Sequence, residues 1–388
     1  MKIKWLLINL VLLCRCEPIS GPDGNVRASE DARLFTALSW NVQALFDGTE
    51  TGSEYDDYKS QTGWSAEKYE ARLNSFSRAI QELFKTGEIN QAEGMPDLIG
   101  LMEVENLKVL EDLSRRIKGG YNWTCFANTS GSALGIGVLS RLPLVKTRVH
   151  SINNDGEELP RPILEVCIEK GGNSLVFFIC HWKSKLGGDT ATETLRRASA
   201  RVILRRLREL KEEEPDLPVI IMGDLNENHD EFFRREGKII SALLPDDPRA
   251  AELAASEADA AGAEAALQND FLILSGENPP QSRNFSSGIA LYSPWENTLA
   301  GGSYFYKNTW ETIDHFLLTD ALFDGRGWEF SSAEAIKNSP FTAASGYPAS
   351  YNPRNGSGLS DHLPLLLMLK HGGNSPTGET GNSIQRRN

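Results

Sequence analysis

A chain of 388 residues with 40% hydrophobic side chains can bury one large domain or two ordinary ones, which excludes general disorder. Its net charge of −13 excludes broad, charge-driven adhesion to nucleic acid, because that needs Lys and Arg to neutralise phosphates; an enzyme with a local basic cleft and a metal ion remains open. Only Cys125, Cys167 and Cys180 lie beyond the first sixteen residues, too few for a disulfide framework, and no CxxC or HExxH spacing marks a zinc site.

The opening MKIKWLLINLVLLCRC sets Lys2 and Lys4 ahead of an apolar run over residues 5–13. That run has the length of a secretory core, about 7–15 residues, and falls short of the roughly 20 of a membrane span. Residues 1–16 are therefore expected to be an export leader. The protein is placed in the periplasm, outside the cell or, only if Cys14 or Cys16 is lipidated, anchored at the cell envelope. Residues 17–33 are polar and form a linker.

Residues 35–42 (FTALSWNV) predict a strand that ends in Asn41. After a polar loop over 48–64, apolar residues at Tyr69, Leu73, Phe76, Ile80 and Leu83 recur every three or four positions, the spacing of an amphipathic helix over 66–84. Residues 95–106 (MPDLIGLMEVEN) run from Pro96 through a short apolar stretch to Glu103 and Glu105. A carboxylate at the end of a buried strand is costly unless paired or bound to a metal, so Glu103 is a ligand candidate. Glu105 should share its side of the strand and support the site or cap the following helix, 107–118.

Strands at 121–127 and 135–140 follow, the second closed by Arg141. Residues 163–168 and 174–180 pair as a hairpin about Gly171 and Gly172 and deliver His181, Lys183 and Lys185, an anion site directly after a buried strand. An Arg-rich helix over 190–214 covers the sheet. Then PVIIMGDLNEN, residues 218–228, repeats the earlier pattern: a short apolar run between Pro218 and Gly223, with Asp224 and Asn226 just past it. An Ala- and Glu-rich insertion at 246–268 carries no chemistry. Residues 310–319 place Asp314 and His315 in an apolar strand, where His315 should pack the opposite way from Asp314. Residues 358–369 place Ser360, Asp361 and His362 before the last apolar run, and 372–388 form a polar tail.

Residues 34–371 are thus one domain. The alternation of strands, hairpins and helices predicts an α+β fold of two packed mixed β-sheets flanked by helices. Polar side chains collect at strand ends: Asn41, Glu103, His181, Asp224, Asn226, Asp314, Asp361 and His362. Clustered carboxylates without thiolates suit a hard cation, Mg²⁺ or Mn²⁺. Two histidines add proton transfer near neutral pH, and the set as a whole describes metal-assisted cleavage of a phosphate ester.

The motifs WNVQALFD, LMEVEN, LSRLP, HWKSK, GDLNEN, TIDHFLL and LSDHLP, in that order over residues 35–370, resemble the endonuclease/exonuclease/phosphatase superfamily, with its DNase I-like fold. Within it, HWKSK with the glycines that follow is most similar to bacterial secreted nucleases. The resemblance implies a four-layer α/β sandwich and specific roles. Glu103, with Asn41 beside it and Asp361 near it, would bind the metal. His181 would contact phosphate, Asp224 would align or deprotonate water, and Asn226 would hold the phosphate. Asp314 would orient His362, and either Asp224 or His362 would take the proton from water. Arg141 and Lys183 are assigned to a substrate phosphate.

The implied function is that of an exported divalent-metal-dependent phosphodiesterase, a monomer that hydrolyses DNA or RNA by in-line attack of water. A phosphatase or a phosphoinositide or sphingomyelin phosphodiesterase on the same fold is the alternative, and a non-catalytic surface binding protein is a third reading. Residues 48–64 and 275–310 are expected to rim the cleft. Their rings, Tyr55, Tyr58, Trp64, Tyr292, Trp295, Tyr304 and Tyr306, would either stack bases or dip into lipid.

Overall fold

A computed structural model describes residues 33–84, 94–257, 270–286, 288–297, 299 and 301–372 of the chain. The leader, the linker up to residue 32, residues 258–268 of the insertion and the tail from residue 373 lie outside the described residues. Elements run β1 (Leu34–Leu45), α1 (Ala66–Leu83), β2 (Leu98–Val104), α2 (Leu107–Arg116), β3 (Trp123–Ala127), β4 (Gly135–Ser140) and β5 (Leu144–His150). The two-residue strands β6 (Asn153–Asn154) and β7 (Glu157–Glu158) precede β8 (Ile163–Lys170), β9 (Asn173–His181), α3 (Asp189–Glu213) and β10 (Val219–Asp224). Then come α4 (Glu231–Arg234), β11 (Leu243–Pro245), α5 (Pro248–Glu257), β12 (Leu272–Ser275) and β13 (Ala290–Tyr292). The hairpin β14 (Tyr304–Tyr306) and β15 (Thr309–Glu311), then β16 (Asp314–Leu318), β17 (Gly327–Ala335) and β18 (Leu365–Gly372) complete the fold.

Two sheets carry the architecture. One has six strands in the order β17-β18-β1-β2-β4-β3, the other eight in the order β11-β12-β13-β16-β10-β9-β8-β5. Both are mixed: β1 runs parallel to β2 and antiparallel to β18, while β10 runs parallel to β9 and antiparallel to β16. The period-2 alternation of each central strand explains the layers, because both of its faces are apolar. Phe35, Ala37, Leu98 and Met102 point inward to meet Phe177, Ile179, Ile220, Met222 and Phe316 between the sheets. Leu38, Trp40 and Ile99 point outward to Leu73, Phe76, Leu110 and Leu113 of α1 and α2. On the far side Phe178, Cys180, Ile221 and Leu317 pack against Ile203 and Leu207 of α3. Helix, sheet, sheet and helix therefore make the four layers of an α+β sandwich. Among the described residues no helix is long and apolar enough to cross a membrane.

Local signals account for the helix starts. Ser65 caps α1 by accepting from the Lys68 N–H at 3.4 Å, and Asn106 caps α2 by accepting from the Val109 N–H at 3.0 Å. Asn106, not Glu105, is thus the cap; Glu105 is buried and accepts instead from the Asp47 N–H at 2.6 Å. The expected strand 310–319 divides into β15 and β16, which belong to different sheets. Most of the predicted rim aromatics are interior: Tyr58, Trp64, Tyr292 and Trp295 are buried in the core, and only Tyr55, Tyr304 and Tyr306 keep exposed ring surface.

Candidate active site

Sheet register builds the first row of the site. Asp224 stands opposite His181 across the β10–β9 ladder and opposite Asp314 across the β10–β16 ladder, so three functional side chains share one level of the eight-stranded sheet. Asn41, at the same end of the six-stranded sheet, donates from Nδ2 to Asp224 Oδ2 at 3.0 Å and links the two sheets. Its Oδ1 accepts from the Gln43 N–H at 3.0 Å.

The strand ends here are bulged, and the bulges aim the acids. Ladder register breaks between Asn41 and Leu45 in β1, and again beside Glu103 in β2. Gln43, Ala44, Glu103 and Asn226 all have left-handed φ, at 51°, 54°, 65° and 52°. Each such non-glycine costs on the order of 1–3 kcal/mol and persists only where surrounding contacts dictate it. Those contacts are visible. The Ala44 N–H donates to Glu103 Oε2 at 2.8 Å, and the buried Arg72 guanidinium donates to the carbonyls of Val42, Gln43 and Ala44 at 2.8, 2.6 and 2.8 Å. Tyr351 lies 3.8 Å from the same guanidinium and closes it off from water. The bulge also removes the premise that Glu103 and Glu105 share a face.

The last loop brings in the remaining acid and the second histidine. Ser360 Oγ donates to the Asn41 carbonyl at 2.6 Å, the Asp361 N–H donates to Gln43 Oε1 at 3.0 Å, and Trp40 Nε1 donates to the His362 carbonyl at 2.9 Å. His362 Nδ1 then donates to Asp314 Oδ2 at 2.8 Å, and Ser303 Oγ donates to the same oxygen at 2.6 Å. The other face of the His362 ring is stacked by Tyr304, with centroids 4.6 Å apart. His362 Nε2 lies 3.9 Å from Asp224 Oδ2 and His181 Nε2 lies 3.6 Å from it; His181 Nε2 is 3.7 Å from Glu103 Oε1. Asn226 donates its N–H to Asp224 Oδ1 at 2.9 Å and its amide to the Trp182 carbonyl at 3.1 Å. Asn41, Glu103, His181, Asp224, Asn226, Asp314, Asp361 and His362 are therefore brought to one end of the paired sheets.

The cationic candidates divide. Arg141 is on the wrong side: its backbone N–H donates to the Asp97 carbonyl at 3.0 Å and its Nη1 to the Met95 carbonyl at 2.9 Å. These carbonyls precede the start of β2, about 17 Å along the strand from Glu103 at roughly 3.3 Å per residue. The error arises because β4 runs antiparallel to β2, so its carboxyl end points away from the site. Arg161, which no sequence signal singled out, stands at the site instead. Its Nη1 donates to the Trp182 carbonyl at 2.5 Å, and its charge helps to depress the pKa of His181 and Lys183. Lys183 is half-buried and contacts the Leu186 carbonyl at 3.3 Å, whereas Lys185 is held by Glu231 at 2.6 Å. His315 packs as expected, fully buried with Nε2 2.8 Å from the Glu227 carbonyl.

Burial sets the electrostatics. It raises Asp224 to about 7, helped by the nearby Asp314 charge and opposed by His362. It raises Asp361 too, with His362 lowering it and Glu103 raising it. Burial alone would push His362 down, but the Asp314 carboxylate, then Asp224 and Asp361, lift it to about 10. His181 goes the other way: burial, then Arg161 and His362, hold it well below its usual range, so it is neutral.

The donor set fits a hard cation. Asp361 Oδ1 is buried with no hydrogen-bond partner, beside a second carboxylate whose charge it repels, and a divalent ion would relieve both penalties. Asp224, Asp314 and His362 also offer ligand atoms within 4.8 Å of one another. Asp314 Oδ2 accepts two hydrogen bonds, while its Oδ1, like that of Asp361, is buried without a partner, so the trio and the set of Glu103, Asn41 and Asp361 are both candidate ligands.

A model of the Endonuclease/Exonuclease/phosphatase family matches residues 36–253 of the chain. Among solved structures, truncated Caenorhabditis elegans TDP2 is similar at 13% identity and a TM-score of 0.49, over 87% of this chain and 97% of that one. The human Nocturnin catalytic domain with bound sulfate is also 13% identical, with a TM-score of 0.49 over 87% of this chain and 94% of that one. A mannosyl-6-phosphatase of Bacteroides thetaiotaomicron is 14% identical, with a TM-score of 0.47 over 86% and 99%. No curated protein matches the chain in sequence.

Proposed function

This chain belongs to the endonuclease/exonuclease/phosphatase family of phosphoric ester hydrolases, and from that premise we propose that it is an exported, Mg²⁺-dependent phosphodiesterase that cleaves DNA or RNA. The observation that carries the reading is the meeting of both sheets at Asp224, which Asn41 holds from one side while His181 and His362 approach within 4 Å from the other.

Glu103, Asn41 and Asp361 would hold the cation, which when bound would neutralise phosphoryl oxygens and polarise phosphorus toward attack. His181, neutral and 5% exposed, donates to a phosphoryl oxygen. Asn226, with its backbone fixed in the left-handed region, presents its amide to the same phosphate, and Arg161 supplies positive charge at the mouth. Asp224, poised near 7, is the base that orients water and accepts its proton. His362, held protonated by Asp314, faces the charge that develops on the phosphoryl oxygens and the departing oxygen.

The test is incubation of purified protein with plasmid DNA, RNA, phosphoinositide and sphingomyelin vesicles and a sugar phosphate, with Mg²⁺ or with chelator. Nucleic acid is expected to be cut only with the ion, and Glu103→Ala or His362→Ala is expected to lower the rate at least about 100-fold. Full activity in either variant, or turnover of lipid or sugar phosphate alone, would overturn the reading. Export is supported by the apolar run over residues 5–13 and is checked by fractionating cells that express the whole chain.

A further inference from the structure

Beyond the acids and histidines, the groove has a wall made of rings. The β14–β15 hairpin turns at Lys307 and Asn308, whose φ values of 46° and 64° are the paired left-handed conformations of a two-residue turn. Strand alternation sends Tyr304 and Tyr306 to one face and Phe305 to the other. On the Phe305 face the hairpin is braced: Phe305 stacks on Tyr347 at 3.8 Å and 12°, and Trp310 meets it edge-on at 5.3 Å. At its base, the Ser303 carbonyl accepts from the Leu363 N–H at 2.7 Å and Ser303 Oγ donates to Asp314. A two-stranded hairpin is not stable alone, so these contacts fix it against the His362–Asp314 pair.

The open face carries a row of aligned rings that begins at the site. Tyr304 stacks on His362 at 4.6 Å and 28°, and Tyr306 lies within 20° of the Tyr304 plane with its centroid 6.1 Å further on. Tyr306 is 51% exposed, and Lys307 Nζ lies 5.1 Å from its centroid. A large aromatic side chain carried on a braced hairpin and left in water beside a phosphate-cleaving centre has the form of a stacking platform. Its tip, Lys307 and Asn308, is polar and has no apolar side chain to enter a bilayer, which disfavours lipid insertion.

We propose that Tyr306, backed by Tyr304, is a subsite that stacks the nucleobase flanking the scissile phosphate, with Lys307 against the neighbouring phosphate. The proposal rests on the nuclease reading and adds to it the requirement for a base at this place. Stacking accepts every base, because each has a π-face, so the subsite selects for an unpaired nucleotide without selecting its identity.

The experiment compares kcat/KM on a short thymidine oligomer with that on an abasic oligomer of the same backbone, for the wild type, Tyr306→Ala and Tyr306→Trp. The wild type is expected to prefer the thymidine oligomer. Tyr306→Ala should lose about ten-fold on thymidine and nothing on the abasic chain, and Tyr306→Trp should keep the preference. Equal loss on both oligomers would mean that Tyr306 merely supports the fold, and no loss on either would mean that the ring is idle; both overturn the subsite while leaving the nuclease reading standing. A wild type that cuts neither oligomer with Mg²⁺ but turns over phosphoinositide vesicles would overturn the nuclease reading, and the subsite with it.

Discussion

Oδ2 of Asp314 receives two hydrogen bonds, from His362 and from Ser303, and this one oxygen decides the state of the imidazole. Asp314→Asn keeps the shape and removes the charge, so His362 should fall from about 10 toward its ordinary value and turn to another tautomer. The expected result is a kcat lower by about 10²–10⁴ with an unchanged midpoint for Mg²⁺ activation, read from metal titrations of the rate. A different residue tests stability away from the chemistry. Glu165 is 3% exposed; burial alone would raise it, but His150 at 2.6 Å and Arg206 at 3.1 Å hold it at about 2. Its folded pKa lies below the unfolded value of about 4.3, so its stabilisation is complete above that pH and is lost as pH falls toward 2. Glu165→Gln should therefore cost about 3 kcal/mol at neutral pH, with the gap to wild type closing below about pH 4, as urea midpoints across that range would report.

At the scale of elements, β10 depends on the residue before its aspartate. Gly223 has φ of 130°, and a Cβ there would meet the Cys180 carbonyl oxygen of β9 at 2.0 Å, a backbone atom that cannot move aside. Gly223→Ala should separate His181 from Asp224, abolish activity and lower the unfolding midpoint by several degrees, whereas Gly276→Ala, with open space around it, should change neither. The run that ends in Gly223 and Asp224 was legible in sequence because a doubly buried strand must be apolar until it reaches the groove. The same logic located β1, β2, β9, β16 and the last loop, and with β10 these carry the eight residues that meet at one end of the paired sheets. What stayed hidden depends on partners distant in sequence. β5 mixes exposed and half-buried residues at a sheet edge, with none fully buried, and gives no apolar signal. Arg72 occupies an amphipathic helix like any solvated arginine, until the bulge of β1 offers it three carbonyls. Arg141 and Arg161 each follow or precede a strand, and only strand direction tells which one stands at the His181 end of the sheets.

For the whole molecule, one groove drawn from two sheets links stability to the ion. Buried carboxylates at Asp224 and Asp361 are raised by desolvation and by one another's neighbours, so the cation-free groove is a source of instability. Mg²⁺ at 100 times its Kd should stabilise by about 2.7 kcal/mol and raise Tm by a few degrees in calorimetry. Asp361→Asn should raise the Tm of the chelated protein and erase the response to Mg²⁺. An identical Tm with and without the ion would deny that these groups bind it.

Leu34 pairs with Lys370, and the His371 N–H donates to the Arg33 carbonyl at 2.8 Å, so the described body begins and ends side by side. From Leu34 to Asn41 the strand climbs about 23 Å, at roughly 3.3 Å per residue, which puts this junction at the pole opposite the groove. A tether fastened ahead of residue 33 or beyond residue 372 would hold the molecule by its foot and leave the cleft turned away from the point of attachment.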